Sequence, residues 1–225
     1  MKKRIRMPKT HIYFVPGLAA NNKIFEHIQL DNRKYECHFL EWEIPLSKNE
    51  SIEDYAQRMC NKITHKSPVL IGVSFGGIMV QEMSKIIPTK KIIIISSVKS
   101  NLEFPNRLKL AATTKAYKLF PAKFIENLDS YIDYFLGDYQ QKKIEAYKKY
   151  MSVRNATYLH WAIHTVMHWK QIKPLANISH IHGNNDGVFP SKHIRNFIKI
   201  DDGTHAMILT KGKRISTEID KILTC

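Results

Sequence analysis

The sequence is short of cysteine, of acidic residues and of long apolar runs, and each shortage narrows what the chain can be. It has three cysteines in 225 residues, Cys37, Cys60 and Cys225. The number is odd and the spacing is neither metal-type nor redox-type, which argues against a disulfide framework and suits a reducing compartment. No apolar run approaches the roughly 18 residues of a membrane span. Repeats and low-complexity tracts are absent, so solenoid, fibrous and disordered classes drop out. Acids number 20 against 35 Lys and Arg, for a formal charge of +15. That excess permits nucleic acid, an anionic membrane surface or an acidic protein or substrate as partner. The lysines are interleaved with acids along the whole chain, and no helix-turn-helix, zinc-finger or RNP pattern accompanies them. A Lys-rich solvated surface is therefore favoured, and nucleic-acid binding is disfavoured.

What remains is an ordinary globular composition, 44% hydrophobic and 24% charged. The length suits one sizeable core, so residues 1–225 are read as a single domain. The start, "MKKRIRMPKTHIYFVPGLAA", has the basic head and small-residue end of a signal peptide. Its apolar stretch is short and broken by Pro16-Gly17, and it is needed as a core strand and loop. A cytoplasmic location is the expectation.

Strand and helix signals alternate. "HIYFV" (11–15) and "YECHFLEW" (35–42) read as strands, with a short amphipathic helix between them capped by Asn21 or Asn22 and carrying Ile24, Phe25, Ile28 and Leu30. Ser51 opens the capping-box-like "SIED" and a helix with Ile52, Tyr55, Ala56, Met59 and Ile63 inward. "VLIGVS" is a strand followed by the helix "GGIMVQEMSKII", which Pro88 stops; "KKIIIISS" is a parallel strand buried on both faces. From about 99 to 173 the pattern is helical and aromatic, without a convincing strand. "NISHIHG" (177–183) and "NFIKI" (196–200) restore strand character, with a helix between them starting near Pro190 and a last helix over about 206–223. This alternation predicts an α/β fold, a mostly parallel central sheet with helices on both faces and a helical cap insertion at about 99–173.

Ligands meet an open parallel sheet at the carboxyl ends of its strands. The residues collected there are Pro16-Gly17-Leu18, Ser74, Ser96-Ser97, Asp186 and the loop around His205. They include a nucleophile, an acid and an imidazole, in the chain order Ser, Asp, His.

These residues resemble the α/β-hydrolase superfamily over nearly the whole chain. Gly72-Val73-Ser74-Phe75-Gly76 is similar to its nucleophile elbow, "HGNNDGVFP" (182–190) to the loop that carries its acid, and "DGTHAMI" (202–208) to the loop that carries its base. The resemblance implies a triad of Ser74, Asp186 and His205, and an oxyanion hole from the backbone N–H groups of Leu18 and Phe75. The roles suit the residue types: a serine hydroxyl needs a base at neutral pH, and an imidazole can take and return its proton while the acid fixes its tautomer. Two departures from the pattern stand out. Pro16-Gly17 replaces the frequent His-Gly, which leaves the backbone donor intact. Only ten residues precede His11, so the usual first hairpin has no counterpart and a sheet of about six strands is expected. An Asx turn in "NND" is the competing reading of Asp186, and His182 is read as a strand-end histidine outside the chemistry.

The expected activity is hydrolysis of a carboxylic ester or thioester through an acyl-enzyme, with no cofactor. Acyl transfer, amide hydrolysis or a lyase step on the same triad, or a slow-turnover ligand-binding sensor, are the alternatives. Trp161, Trp169 and Phe135, with neighbouring aromatics of the insertion (Phe120, Phe124, Tyr131 and Tyr134), are candidates for an acyl pocket, cap packing being the equal alternative. His160, His164 and His168 recur at helical spacing, yet no carboxylate or cysteine joins them, so no metal site is assigned. The expected partner is a small-molecule or carrier-bound acyl ester, with an acidic carrier protein or an anionic surface as a use for the basic charge.

Overall fold

The computed structural model describes residues 8–114 and 149–224. One sheet contains β1 (Thr10–Val15), β2 (Tyr35–Phe39), β3 (Val69–Val73), β4 (Lys91–Ile95), β5 (Ile178–Gly183) and β6 (Ile198–Ile200). The spatial order is β2-β1-β3-β4-β5-β6 and every neighbouring pair is parallel. The helices among the described residues are α1 (Ile52–Cys60), α2 (Phe75–Met83), α3 (Asn106–Thr113), α4 (Ala156–Met167), α5 (Met207–Thr210) and α6 (Gly212–Thr224).

The period-2 alternation of the strands divides the core in two. Ile12, Phe14, Ile71, Val73, Ile93 and Ile95 face Met207, Ile208, Ile215 and Ile219 of α5 and α6. Tyr13, Val15, Leu70, Ile92 and Ile94 face the other way, against Tyr55, Met59, Ile78, Met79 and Trp161 of α1, α2 and α4. Full burial of each such side chain contributes about 1.5–3 kcal/mol, which is why the middle strands β3 and β4 are apolar on both faces. α2 is wedged between sheet and outer helices, and all nine of its residues are buried. Ser51 caps α1 as the sequence implies, its hydroxyl accepting the Asp54 N–H at 3.0 Å.

Several elements are shorter than their sequence patterns. After Asn21, whose side chain caps Lys23 N–H, the chain makes only a 3-10 turn, Asn22–Phe25. β2 ends at Phe39, with Leu40 and Trp42 buried beyond it, and α2 ends at Met83. The helix expected from Pro190 is a single 3-10 turn, Ser191–His193. Ile194 directly after it is extended, with φ −97° and ψ 132°, which ends the turn. The final helix is broken at Lys211, between α5 and α6, where a Cβ on Gly212 would lie 2.5 Å from the His27 carbonyl oxygen. Within the expected insertion, the described residues form a 3-10 turn at Asn101–Glu103, α3 and α4, and no strand. Residues 115–148, with Phe120, Phe124, Tyr131, Tyr134 and Phe135, lie outside the described residues, as does Cys225.

Candidate active site

The chain leaves β1 for the edge strand β2, then crosses back to β3. That reversal opens a crevice at the carboxyl ends of β1 and β3. Ser74 directly follows β3 with φ 53° and ψ −117°, a conformation costly for a residue with a side chain and characteristic of functional turns. Close packing makes the turn possible. A Cβ on Gly76 would lie 2.3 Å from the carbonyl oxygens of both Val15 and Pro16, and one on Gly72 2.1 Å from that of Gly76. No other residue fits at either point.

Ser74, Asp186 and His205 form one hydrogen-bonded chain. His205 Nε2 lies 2.9 Å from Ser74 Oγ, and His205 Nδ1 lies 2.9 and 3.1 Å from the two Asp186 oxygens. An ionised carboxylate only accepts, so Nδ1 carries the proton and Nε2 is free to accept from the serine. Ser74 and His205 are partly open while Asp186 is buried. Burial works to raise the Asp186 pKa, but His205, His182 and the Phe189 N–H together outweigh it and hold the carboxyl below its usual value. The Asx turn and the contact with His205 coexist, because Asp186 Oδ1 also accepts from Val188 N–H at 2.8 Å and Phe189 N–H at 2.9 Å.

The loops that carry Asp186 and His205 meet through glycine. A Cβ on Gly183, the last residue of β5, would lie 2.0 Å from the Gly203 carbonyl oxygen, which accepts from Asn185 N–H at 3.0 Å. Behind Asp186, His182 donates through Nε2 to the Phe189 carbonyl at 2.9 Å and accepts at Nδ1 from His180 at 3.1 Å. Both rings are fully enclosed, and both have pKa values lowered by burial first of all. They brace the acid loop in the neutral form.

The loop after β1 passes over Ser74, since a Cβ on Gly17 would lie 3.5 Å from Ser74 Cβ. Leu18 follows it, and Ala19 takes φ 62°. Among the described residues, neither the Leu18 nor the Phe75 backbone N–H has an acceptor. Phe75 opens α2, where the helix dipole favours negative charge.

Three supporting residues are not recognisable from any motif. Trp42 donates through Nε1 to the Gly17 carbonyl at 2.9 Å and stacks on the Phe75 ring at 5.0 Å, so one indole fixes both backbone segments. Ser97 donates to the Ser74 carbonyl at 2.7 Å. Arg107 of α3 bonds the Gly187 carbonyl and, at 3.1 Å, that of Val188.

Of the candidate pocket residues, Trp161 is 1% exposed, stacked on Tyr55 with its edge against Phe75, and donates to the Glu50 carbonyl at 2.8 Å. Trp169 lines a cavity of about 330 Å³ with Leu102, Phe104, Leu108 and Val166. Phe104 continues from it to Phe189, and Phe189 to the His205 ring, at centroid distances of 6.0 and 5.5 Å. On α4, the His164 and His168 rings stack at 4.1 Å and His160 is exposed. Among the described residues, no helix is long and apolar enough to cross a membrane.

No family model matches this sequence, and no curated protein is similar to it at the level of sequence. Solved structures do match. A candidate non-heme bromoperoxidase from Mycobacterium tuberculosis superposes with TM-score 0.73 at 12% identity, over 96% of this chain and 92% of that one. A lipase-esterase related protein from Clostridium acetobutylicum gives 0.66 at 17% identity, over 96% of each chain. A thermophilic esterase from Thermogutta terrifontis gives 0.60 at 13% identity, over 96% and 89%. At such identities the likeness is one of fold, and this chain has the α/β-hydrolase fold.

Proposed function

We propose that the protein is a serine hydrolase that cleaves a carboxylic ester or thioester through an acyl-enzyme. The observation that carries this reading is the continuous chain from the Ser74 hydroxyl through His205 to Asp186, set on a strained turn at the crevice. In the first half-reaction Ser74 Oγ attacks the acyl carbon while its proton passes to His205 Nε2. The oxyanion forms against the Leu18 and Phe75 N–H groups, whose loss individually would cost about 2.7–4 kcal/mol. His205 returns the proton to the leaving alcohol or thiol. Water then repeats the sequence on the acyl-enzyme and frees the acid.

The apolar cavity beside Trp169 supports a hydrophobic acyl group. The excess of 35 basic over 20 acidic residues supports delivery by an anionic partner such as an acidic acyl carrier; turnover of a carrier-bound acyl group should then fall with added salt while that of a small neutral ester does not.

Intact mass after treatment with a fluorophosphonate tests the core of the proposal. One adduct per chain is expected, lost in Ser74→Ala and His205→Ala, with turnover of p-nitrophenyl esters lost in parallel. A folded wild-type chain that takes no label and hydrolyses no ester in a chain-length series would overturn it.

A further inference from the structure

A second group of chemically active side chains lies at the opposite end of the sheet. His11 near the start of β1, His38 on β2 and His65 in the loop after α1 each present a ring nitrogen, and the three atoms lie within 4.8 Å of one another. It is the only such group of three His, Cys, Asp or Glu side chains among the described residues. Parallel register creates it. Thr10 pairs with Tyr35, so His11 stands beside Glu36 and Tyr13 beside His38 on one face of the sheet. The His65 ring then stacks on His11 at 3.5 Å. Val15, where β1 ends, lies four residues further along from His11, roughly 13 Å at strand rise, and the Ser74 turn lies beyond it. The cluster is therefore remote from Ser74.

We infer that His11, His38 and His65 form a binding site for a borderline divalent metal ion, with zinc as the natural probe. His11 Nδ1 and His38 Nε2 share a hydrogen bond at 3.1 Å; an ion would replace its proton, and the spacing is close to the roughly 3.4 Å that separates two nitrogens at tetrahedral zinc with Zn–N near 2.0–2.1 Å. The His65 ring is oriented by an oxygen, Tyr13 Oη at 2.7 Å from Nδ1, which is the kind of outer partner that ligating histidines use. Tyr13 Oη is itself held by the Thr64 N–H at 3.3 Å. Glu36 Oε2, 3.8 Å from His11 Nδ1 and half exposed, is within reach as a fourth ligand and supplies the single negative charge. All three rings are partly buried. An ion here would tie the edge strand to β1 and to the loop entering β3.

The test is zinc titration by calorimetry into the chelator-treated full-length protein, beside His38→Ala, His65→Gln and the triple α4 variant His160→Ala/His164→Ala/His168→Ala. One zinc per chain is expected, with Tm raised by about 5–10 °C at free zinc 100 times Kd. Affinity should drop about 100-fold or more in His38→Ala and His65→Gln and hold in the α4 variant. His65 sits on a loop, so its variant keeps the test valid if His38→Ala fails to fold. Cobalt should give a visible ligand-field band that His65→Gln abolishes. No saturable uptake by the wild type, uptake unchanged in His65→Gln, or uptake lost with the α4 histidines would each overturn the inference.

Discussion

Imidazoles gather at both ends of one sheet, and the comparison shows how partners decide what a histidine does. At the carboxyl end, His205 stands between a buried carboxylate and an open hydroxyl, so its two nitrogens have unequal roles and a proton has a direction to travel. At the amino end, three rings face one another with one exposed carboxylate 3.8 Å away. The guest inferred there is a metal cation. Behind Asp186, His180 and His182 are sealed in the interior and brace its loop.

The sharpest separation of the two ends comes from Ser74→Ala. It should lower kcat for ester hydrolysis by about 10⁵-fold or more and remove fluorophosphonate labelling, while zinc uptake at the amino end is unaffected. Loss of zinc uptake in this variant would break the comparison. Asp186→Asn should cost about 10⁴-fold in kcat, because an amide no longer holds the Nδ1–H tautomer of His205. A loss below tenfold would remove Asp186 from the triad.

Gly76→Ala forces a Cβ into the backbone of Val15 and Pro16. Destabilisation above about 3 kcal/mol in urea unfolding is expected, the range of severe core strain. A variant as stable as the wild type would show that the crossing of β1 and α2 is looser than its geometry. Trp42→Phe keeps the ring stack and deletes the bond to the Gly17 carbonyl. Its expected signature is a roughly tenfold lower kcat with little change in KM, since it would loosen the proposed oxyanion donor segment without touching substrate. A change in KM alone would assign Trp42 to substrate binding.

A further effect is on pH dependence. His180 and His182 have folded pKa values below the usual 6.5, burial being the main cause. The unfolded chain therefore takes up protons that the fold refuses. Their contribution to stability is complete above about pH 6.5 and is lost as pH falls toward the folded values, by at most about 1.4 kcal/mol per pH unit for each ring. Denaturation curves between about pH 7 and pH 5 should show this decline, and His180→Gln, which keeps a donor toward His182, should flatten it. An unchanged slope would mean that the pair titrates as it does in the unfolded chain.

Much of this architecture is local and therefore legible in the chain. Branched apolar runs such as Ile92–Ile95 announce strands buried on both faces, Ser51 and Asp54 announce a helix start, and the glycines around Ser74 announce a turn that only small residues can make. These signals act within a few residues, where steric and hydrogen-bonding rules are short-ranged. The order Ser74, Asp186, His205 was visible too, together with the loops that hold them. The ends of elements were less so: the break at Lys211 follows from the approach of His27, which no local pattern encodes.

Only the tertiary structure decided the rest. Trp42 reads locally as the tail of a strand, and its indole finds the Gly17 carbonyl because β2 pairs beside β1. His11 and His38 are 27 residues apart in sequence, too distant for any helical or motif spacing, and parallel register with the return of α1 makes them neighbours of His65. Gly183 and Gly203 stand about twenty residues apart in sequence, and only the folded chain shows that their backbones touch where Asp186 reaches His205. Periodicity states which face a side chain takes; what it meets there is set by packing between distant segments.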